Sequence, residues 1–415
     1  MKIAIVGAGI AGNTLAYHLS KQHDITVFEA GGHIGGHTHT HDIVHEGKRF
    51  SVDTGFIVFN DRTYPHFTHL LEQLKVPWQA SDMSFSVRCE KTGLEYNGTT
   101  LNSLFAQRSN LLKPSFYRMI SEILRFNKQS LELLEHGDEI ELGDYLAQHR
   151  YSRQFIDYYI VPMGAAVWST EARQMMHFPA RFFVRFFHHH GMLSIDDRPQ
   201  WRVIQGGSAR YAEALTAGFR DRIRLNTPVA TVRRLKRSVR VTPVNGPEES
   251  FDWVFFACHS DQAVHVLSDA SPQEREILGA IPYQQNEIVL HTDATMMPKR
   301  KLAWAAWNYH VTAKPLARVA VTYNMNILQG LSSREPLLVT LNHTAQIHPA
   351  KIIKRLSYDH PVYTTDGAAA QLRHHEVSGV NRTGYCGAYW RNGFHEDGVW
   401  SALQAVKHFQ AATAG

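Results

Sequence analysis

Lys2-Ile3-Ala4-Ile5-Val6-Gly7-Ala8-Gly9-Ile10-Ala11-Gly12, answered further on by Ile25-Thr26-Val27-Phe28-Glu29, is the stretch that decides the fold. The first five residues read as a short buried strand, and the glycine-rich turn then opens a helix with Leu15, Ala16 and Leu19 on its apolar side. A second strand follows and ends in Glu29, which completes a βαβ unit. In such a unit Gly7 permits the tight turn, Gly9 admits a pyrophosphate close to the backbone, and Gly12 lets helix and strand pack closely. Ala8 and Ala11 keep the turn small, and the helix amino terminus supplies N–H groups and positive dipole to an anion. Glu29 is placed to accept hydrogen bonds from ribose hydroxyls, and an acid there disfavours a 2′-phosphate.

Glu29 runs on into Ala30-Gly31-Gly32-His33-Ile34-Gly35-Gly36-His37-Thr38. This resembles the second signature of FAD enzymes of the glutathione-reductase-like superfamily, in its flavin amine oxidase and phytoene desaturase branch. In that branch Gly35 and Gly36 would pass close to the pyrophosphate and ribityl, usually with an arginine next; here that residue is His37, whose charge depends on pH. The resemblance continues in motif order through most of the chain. Gly55 and Phe56 match the turn beside the flavin ring, and Val229 the strand whose backbone meets the adenine. Gly387, Gly398 and Val399 match the closing motif, with Glu396 or Asp397 in reach of the ribityl hydroxyls because Tyr389 stands where the family's acid is expected.

The resemblance implies a glutathione-reductase-like α/β fold: an FAD-binding Rossmann domain built from 1–80, 200–265 and 370–415, and a mixed α+β substrate domain from 81–199 and 266–369. With 415 residues, the chain exceeds the roughly 250 to 300 at which single cores stop growing. Trp168, Trp304, Trp307 and Tyr309 read either as core or as the lining of an aromatic substrate tunnel. Amine oxidases of the branch carry a lysine near the flavin and an aromatic residue after the last FAD glycine; the corresponding positions are assigned to Glu287 and Val399. Both departures weigh against an amine substrate.

The expected function is therefore FAD-dependent dehydrogenation or desaturation of an apolar, acyl-lipid type of substrate, with a flavin amine oxidase and a non-catalytic FAD-binding partner subunit as the alternatives. No side chain is identified as an obligatory acid or base, and the electron acceptor is left open. A net charge of +5 is too small for a nucleic-acid binder. The histidine runs His37-Thr38-His39-Thr40-His41 and His188-His189-His190 read as cofactor-proximal backbone and a helix end, so no metal is expected. Three cysteines without a CxxC point to a reducing, cytoplasmic setting. Arg181-Phe182-Phe183-Val184-Arg185-Phe186-Phe187 and the basic Arg233–Arg237 segment offer a peripheral contact with anionic membrane, against the plainer reading of a core-facing helix and a solvated hairpin.

Overall fold

The computed structural model describes residues 1–414 apart from 136–139, 169, 170, 172, 195, 315 and 317. Its centre is a five-stranded, wholly parallel sheet made by chain segments far apart in sequence. β1 (Lys2–Val6) leads through α1 (Ile10–Leu19) to β2 (Asp24–Phe28), while β3 (Ile223–Arg224), β4 (Trp253–Phe256), β5 (Thr383–Tyr385) and α2 (His395–Thr413) come from later in the chain. The spatial order is β3-β2-β1-β4-β5. Parallel sheets are covered on both faces, so their strands need continuous apolar runs. β1 meets that demand: Ile3, Ala4 and Ile5 are fully buried, and α1 and α2 pack side by side against the sheet. A three-stranded antiparallel sheet, 229–251, fills the crossover between β3 and β4.

A second sheet of seven strands stands apart from the first and draws on both intervening stretches of the chain. Residues 85–97 supply two of its strands and 283–361 the rest, and Phe85–Cys89 joins them by pairing in parallel with Trp307–Val311. Helices Pro114–Gln129, Val161–Trp168 and Ala180–His189 bury their apolar faces against this sheet in the largest core cluster.

The arginine–phenylalanine segment belongs to that core. Phe182, Phe183, Val184, Phe186 and Phe187 are all buried, so the apolar face of this helix packs into the core. In the basic hairpin Arg234 is turned inward against Glu274 at 2.5 Å and Asp269 at 3.0 Å, while Arg233, Lys236 and Arg237 are exposed. No helix among the described residues is long and apolar enough to cross a membrane.

Glu274 also accepts from the Tyr385 hydroxyl at 2.8 Å, so a single buried ion pair joins the antiparallel sheet, a helix and β5. Breaking one partner of such a pair leaves the other charge buried and uncompensated, at a cost of about 3 to 5 kcal/mol. Arg234→Met should therefore destabilise the chain by about that much in urea denaturation. An unchanged midpoint would show the pair to be dispensable.

Candidate active site

The loops at the carboxyl ends of β1 and β2 are held against each other by main-chain bonds. Gly35 N–H donates to the Ala8 carbonyl at 2.8 Å, and Gly9 and Gly35 form a bridge. Glu29 locks both loops, Oε2 accepting from Ala8 N–H at 2.8 Å and Oε1 from Gly31 N–H at 2.7 Å. Further along, Phe56 N–H donates to the His37 carbonyl at 2.8 Å, which brings the Gly55 turn alongside. A Cβ on Gly55 would lie 2.1 Å from that carbonyl oxygen, so only glycine fits.

These loops form one side of a cavity of about 970 Å³. Gly7, Gly9, Ala11, Glu29, Ala30 and Val229 line it, as do Gly35, Gly36, His37, Gly55, Phe56 and Gly387. The opposite wall comes from the helical layer and the seven-stranded sheet, with Trp168, Phe186, Trp307 and Tyr323, and from Trp201 just ahead of the strand Arg202–Ile204. Trp168 is packed among phenylalanines, with Phe186 at 4.8 Å between ring centroids, and Trp307 lies edge-on to Tyr323 at 4.9 Å.

Other predicted positions serve the cavity from behind. Ala8 acts through its backbone, and Gly12 through packing, since a Cβ there would lie 2.0 Å from the Gly7 carbonyl oxygen. Thr38 is buried and hydrogen-bonds Tyr211 and, at 2.9 Å, His395 Nε2. His395 in turn stacks on Phe56 at 3.6 Å and lines the cavity.

The closing motif needs correction. Asp397 accepts from its own turn, from Phe394 N–H at 3.0 Å and Asn392 N–H at 3.2 Å, while Glu396 caps the helix Pro65–Leu74 through Phe67 N–H at 2.9 Å. Neither lines the cavity. α2 begins at His395, ahead of Gly398, whose absent side chain admits Ile10, and Val399 is buried in the neighbouring core. Three substrate-wall candidates also fall elsewhere. Glu287 lies partly exposed, 3.6 Å from Arg355; the Trp304 indole donates to the Pro298 carbonyl before the strand begins; Tyr309 is buried within the sheet, beyond the reach of the cavity.

His37 faces His259, His360 and Tyr358, with centroids at 6.4, 5.3 and 5.0 Å. Burial, reinforced by the neighbouring imidazoles, holds the His37 pKa well below its ordinary value, and burial lowers His360 to about 4. The residue in the arginine's place is thus neutral in the protein alone. Reading the sequence singled out His37 but missed His259, Tyr358, His360 and His395, which arrive from distant segments. Among the described residues no group of three or more His, Cys, Asp or Glu side chains is arranged to hold a metal ion.

The site fits FAD on three counts. No side chain caps α1 at Gly9, so its amino-terminal N–H groups remain for a pyrophosphate. A Cβ built on Gly9 meets nothing within 4 Å, so the backbone faces open cavity. Glu29 lines the cavity at the end of β2 and keeps carboxylate lone pairs for ribose hydroxyls beyond the two backbone bonds that it accepts.

The two motif glycines should therefore fail differently. Gly9→Val should fold with an unchanged melting temperature yet purify without flavin, whereas Gly12→Val should not yield folded protein. Flavin retention by the Gly9 variant would sink this assignment. A second expectation concerns pH. Burial raises the Asp397 carboxyl from its ordinary 3.8 to about 7. Across that window the folded chain keeps a proton that the unfolded chain releases, so this residue's contribution to stability falls as pH rises. Asp397→Asn removes the titration, and its melting temperature should gain on the parent's as pH rises through the window. A constant difference between the two would contradict the assignment.

Comparison with known proteins agrees with this geometry. Cyclohexylamine oxidase from Brevibacterium oxydans IH-35A superposes with a TM-score of 0.71 at 14% identity, covering 99% of each chain. A CLA-producing fatty acid isomerase from P. acnes does so with a TM-score of 0.70 at 16% identity, covering 98% of each. At such identities the likeness is one of fold. A comparison of the sequence with curated proteins finds no match. The family model for flavin-containing amine oxidoreductases matches residues 10–408, nearly the whole chain: the chain belongs to that family.

Proposed function

We propose that this FAD-dependent oxidoreductase removes hydrogen from an apolar, acyl-chain substrate. The observation that carries the reading is the character of the wall facing the glycine loops. Among the described residues no lysine or arginine lines the cavity, and tryptophan, phenylalanine, tyrosine, isoleucine and methionine predominate in that wall, with Ser357 and Asp359 added by the seven-stranded sheet. His190 lies within it, but burial lowers its pKa to about 4 and leaves it uncharged at neutral pH. A predominantly aromatic wall favours a ligand whose reacting end is apolar.

FAD bound in this cradle would supply a two-electron acceptor for the hydride, with the neighbouring carbon's proton released as a C=C bond forms and dioxygen or a quinone reoxidising the cofactor. The chain's own part is to bind and orient. Gly9 and the amino terminus of α1 would hold the pyrophosphate. Glu29 keeps lone pairs for ribose hydroxyls beyond the two backbone bonds it accepts. Trp168, Phe186 and Trp201 exclude water from the opposite side. His395, lowered to about 3 by burial, stays neutral and braces Phe56.

An amine substrate is the second reading, favoured by the description of the family. Anaerobic mixing separates the two. A medium-chain acyl ester should bleach the visible flavin absorbance while cyclohexylamine and putrescine leave it unchanged. Bleaching by an amine and by no acyl compound would establish the second reading in its place.

A further inference from the structure

A second cavity, of about 500 Å³, adjoins the first and shares Phe186, His190 and Asn392 with it. Two helical stripes face it. Phe182, Arg185, Phe186 and His189 recur at three- and four-residue spacing on the helix Ala180–His189, and Trp400, Gln404 and His408 recur every fourth residue on α2. Arg391, Trp390 and His375 close the space between them.

Its charge is one-sided. No aspartate or glutamate is among the lining residues. Arg185 forms no ion pair or hydrogen bond with a described residue, and burial together with the positive charges of Arg181 and Arg391 lowers its pKa. Arg391 lies over the Trp400 ring at 5.0 Å, and its carboxylate neighbour among the described residues, Asp397, is 3.7 Å away, long for a charge-assisted hydrogen bond. Trp390 Nε1 and His408 Nδ1 are buried in this wall without a partner. Two guanidinium groups thus lie beside Phe182, Phe186 and Trp400, in a pocket that shares the side chains of Phe186, His190 and Asn392 with the apolar cavity.

We infer that this second cavity receives the anionic head group, a carboxylate or a phosphate ester, of an amphiphile whose apolar body passes Phe186 and His190 into the main cavity. The inference rests on the acyl-chain reading above and adds to it that the substrate is charged at the end remote from the reacting carbons. Arg185 and Arg391 are the principal counter-charges. Their contribution falls with added salt, since Arg185 lies at the open side.

The test titrates the flavin-loaded protein with decanoate, decyl phosphate and decanol, reading the perturbation of the flavin spectrum. At least one anion should bind about tenfold more tightly than decanol, the size expected of a charge-assisted hydrogen bond. The better of the two anions identifies the head group. Arg185→Gln, an exposed change that leaves the core alone, should abolish the preference without altering flavin content, and Arg391→Gln should do the same. Equal affinity for all three amphiphiles, or a preference that survives in both variants, would overturn the head-group site while leaving the acyl-chain reading standing. If none of the three perturbs the flavin and an amine does, both readings fall together.

Discussion

The carboxylate of Glu29 is the contact on which the rest of the site depends. It stands at the end of one strand, and its two oxygens take backbone N–H groups from the turn after the neighbouring strand and from the loop that follows its own. Charge-assisted bonds of this kind are about twice as strong as neutral ones, and here they substitute for side-chain contacts that glycine cannot make. With both loops tied to one anion, Gly9 and Gly35 lie edge to edge, and the amino terminus of α1 is left bare. The same residue that was expected to read a ribose therefore shapes the cradle first.

A second buried carboxylate joins this cradle to the opposite wall. Asp53 accepts from Thr40 Oγ1 at 2.5 Å, from Ser208 N–H and Oγ at 2.9 and 2.7 Å, and from Gln329 Nε2 at 2.9 Å. Three chain segments meet there, one of them within the seven-stranded half of the molecule. Burial outweighs these donors and raises the Asp53 carboxyl to about 6. Directional polar bonds rather than apolar packing thus set the distance between the two sides of the cavity at this point, which fixes geometry where close-packed side chains would fill the space.

What the sequence displayed plainly was local. Gly7, Gly9 and Glu29 sit in one βαβ unit, where spacing along the chain dictates spacing in space, and they line the cavity together. His37 and Phe56 lie on loops zipped directly to that unit. Glu287, Trp304 and Tyr309 were harder, because how far along a strand a ligand reaches depends on partners distant in sequence: Trp307 lines the cavity, while Tyr309, two residues on and on the same face, is buried outside it. Asp397 was misplaced for another reason: an acid at a helix amino terminus has a local use, and the backbone N–H groups of Asn392 and Phe394 claim it. The arginine and phenylalanine pattern at 181–187 fits an interfacial helix and a buried one alike until the neighbouring helices are known.

The central strand of the parallel sheet pairs on one side with residues 24–28 and on the other with 253–256, which in turn pair with 383–385. During synthesis, therefore, β1 waits with one edge bare until more than half of the chain has left the ribosome, and the sheet is complete only near the end. Long-range parallel pairing of this kind is slow to form, and an open apolar edge is a site for mispairing in the interval. A chain ordered in this way closes its cofactor sheet only when residues 383–385 dock beside 253–256, long after the glycine turn at 7–12 has been made.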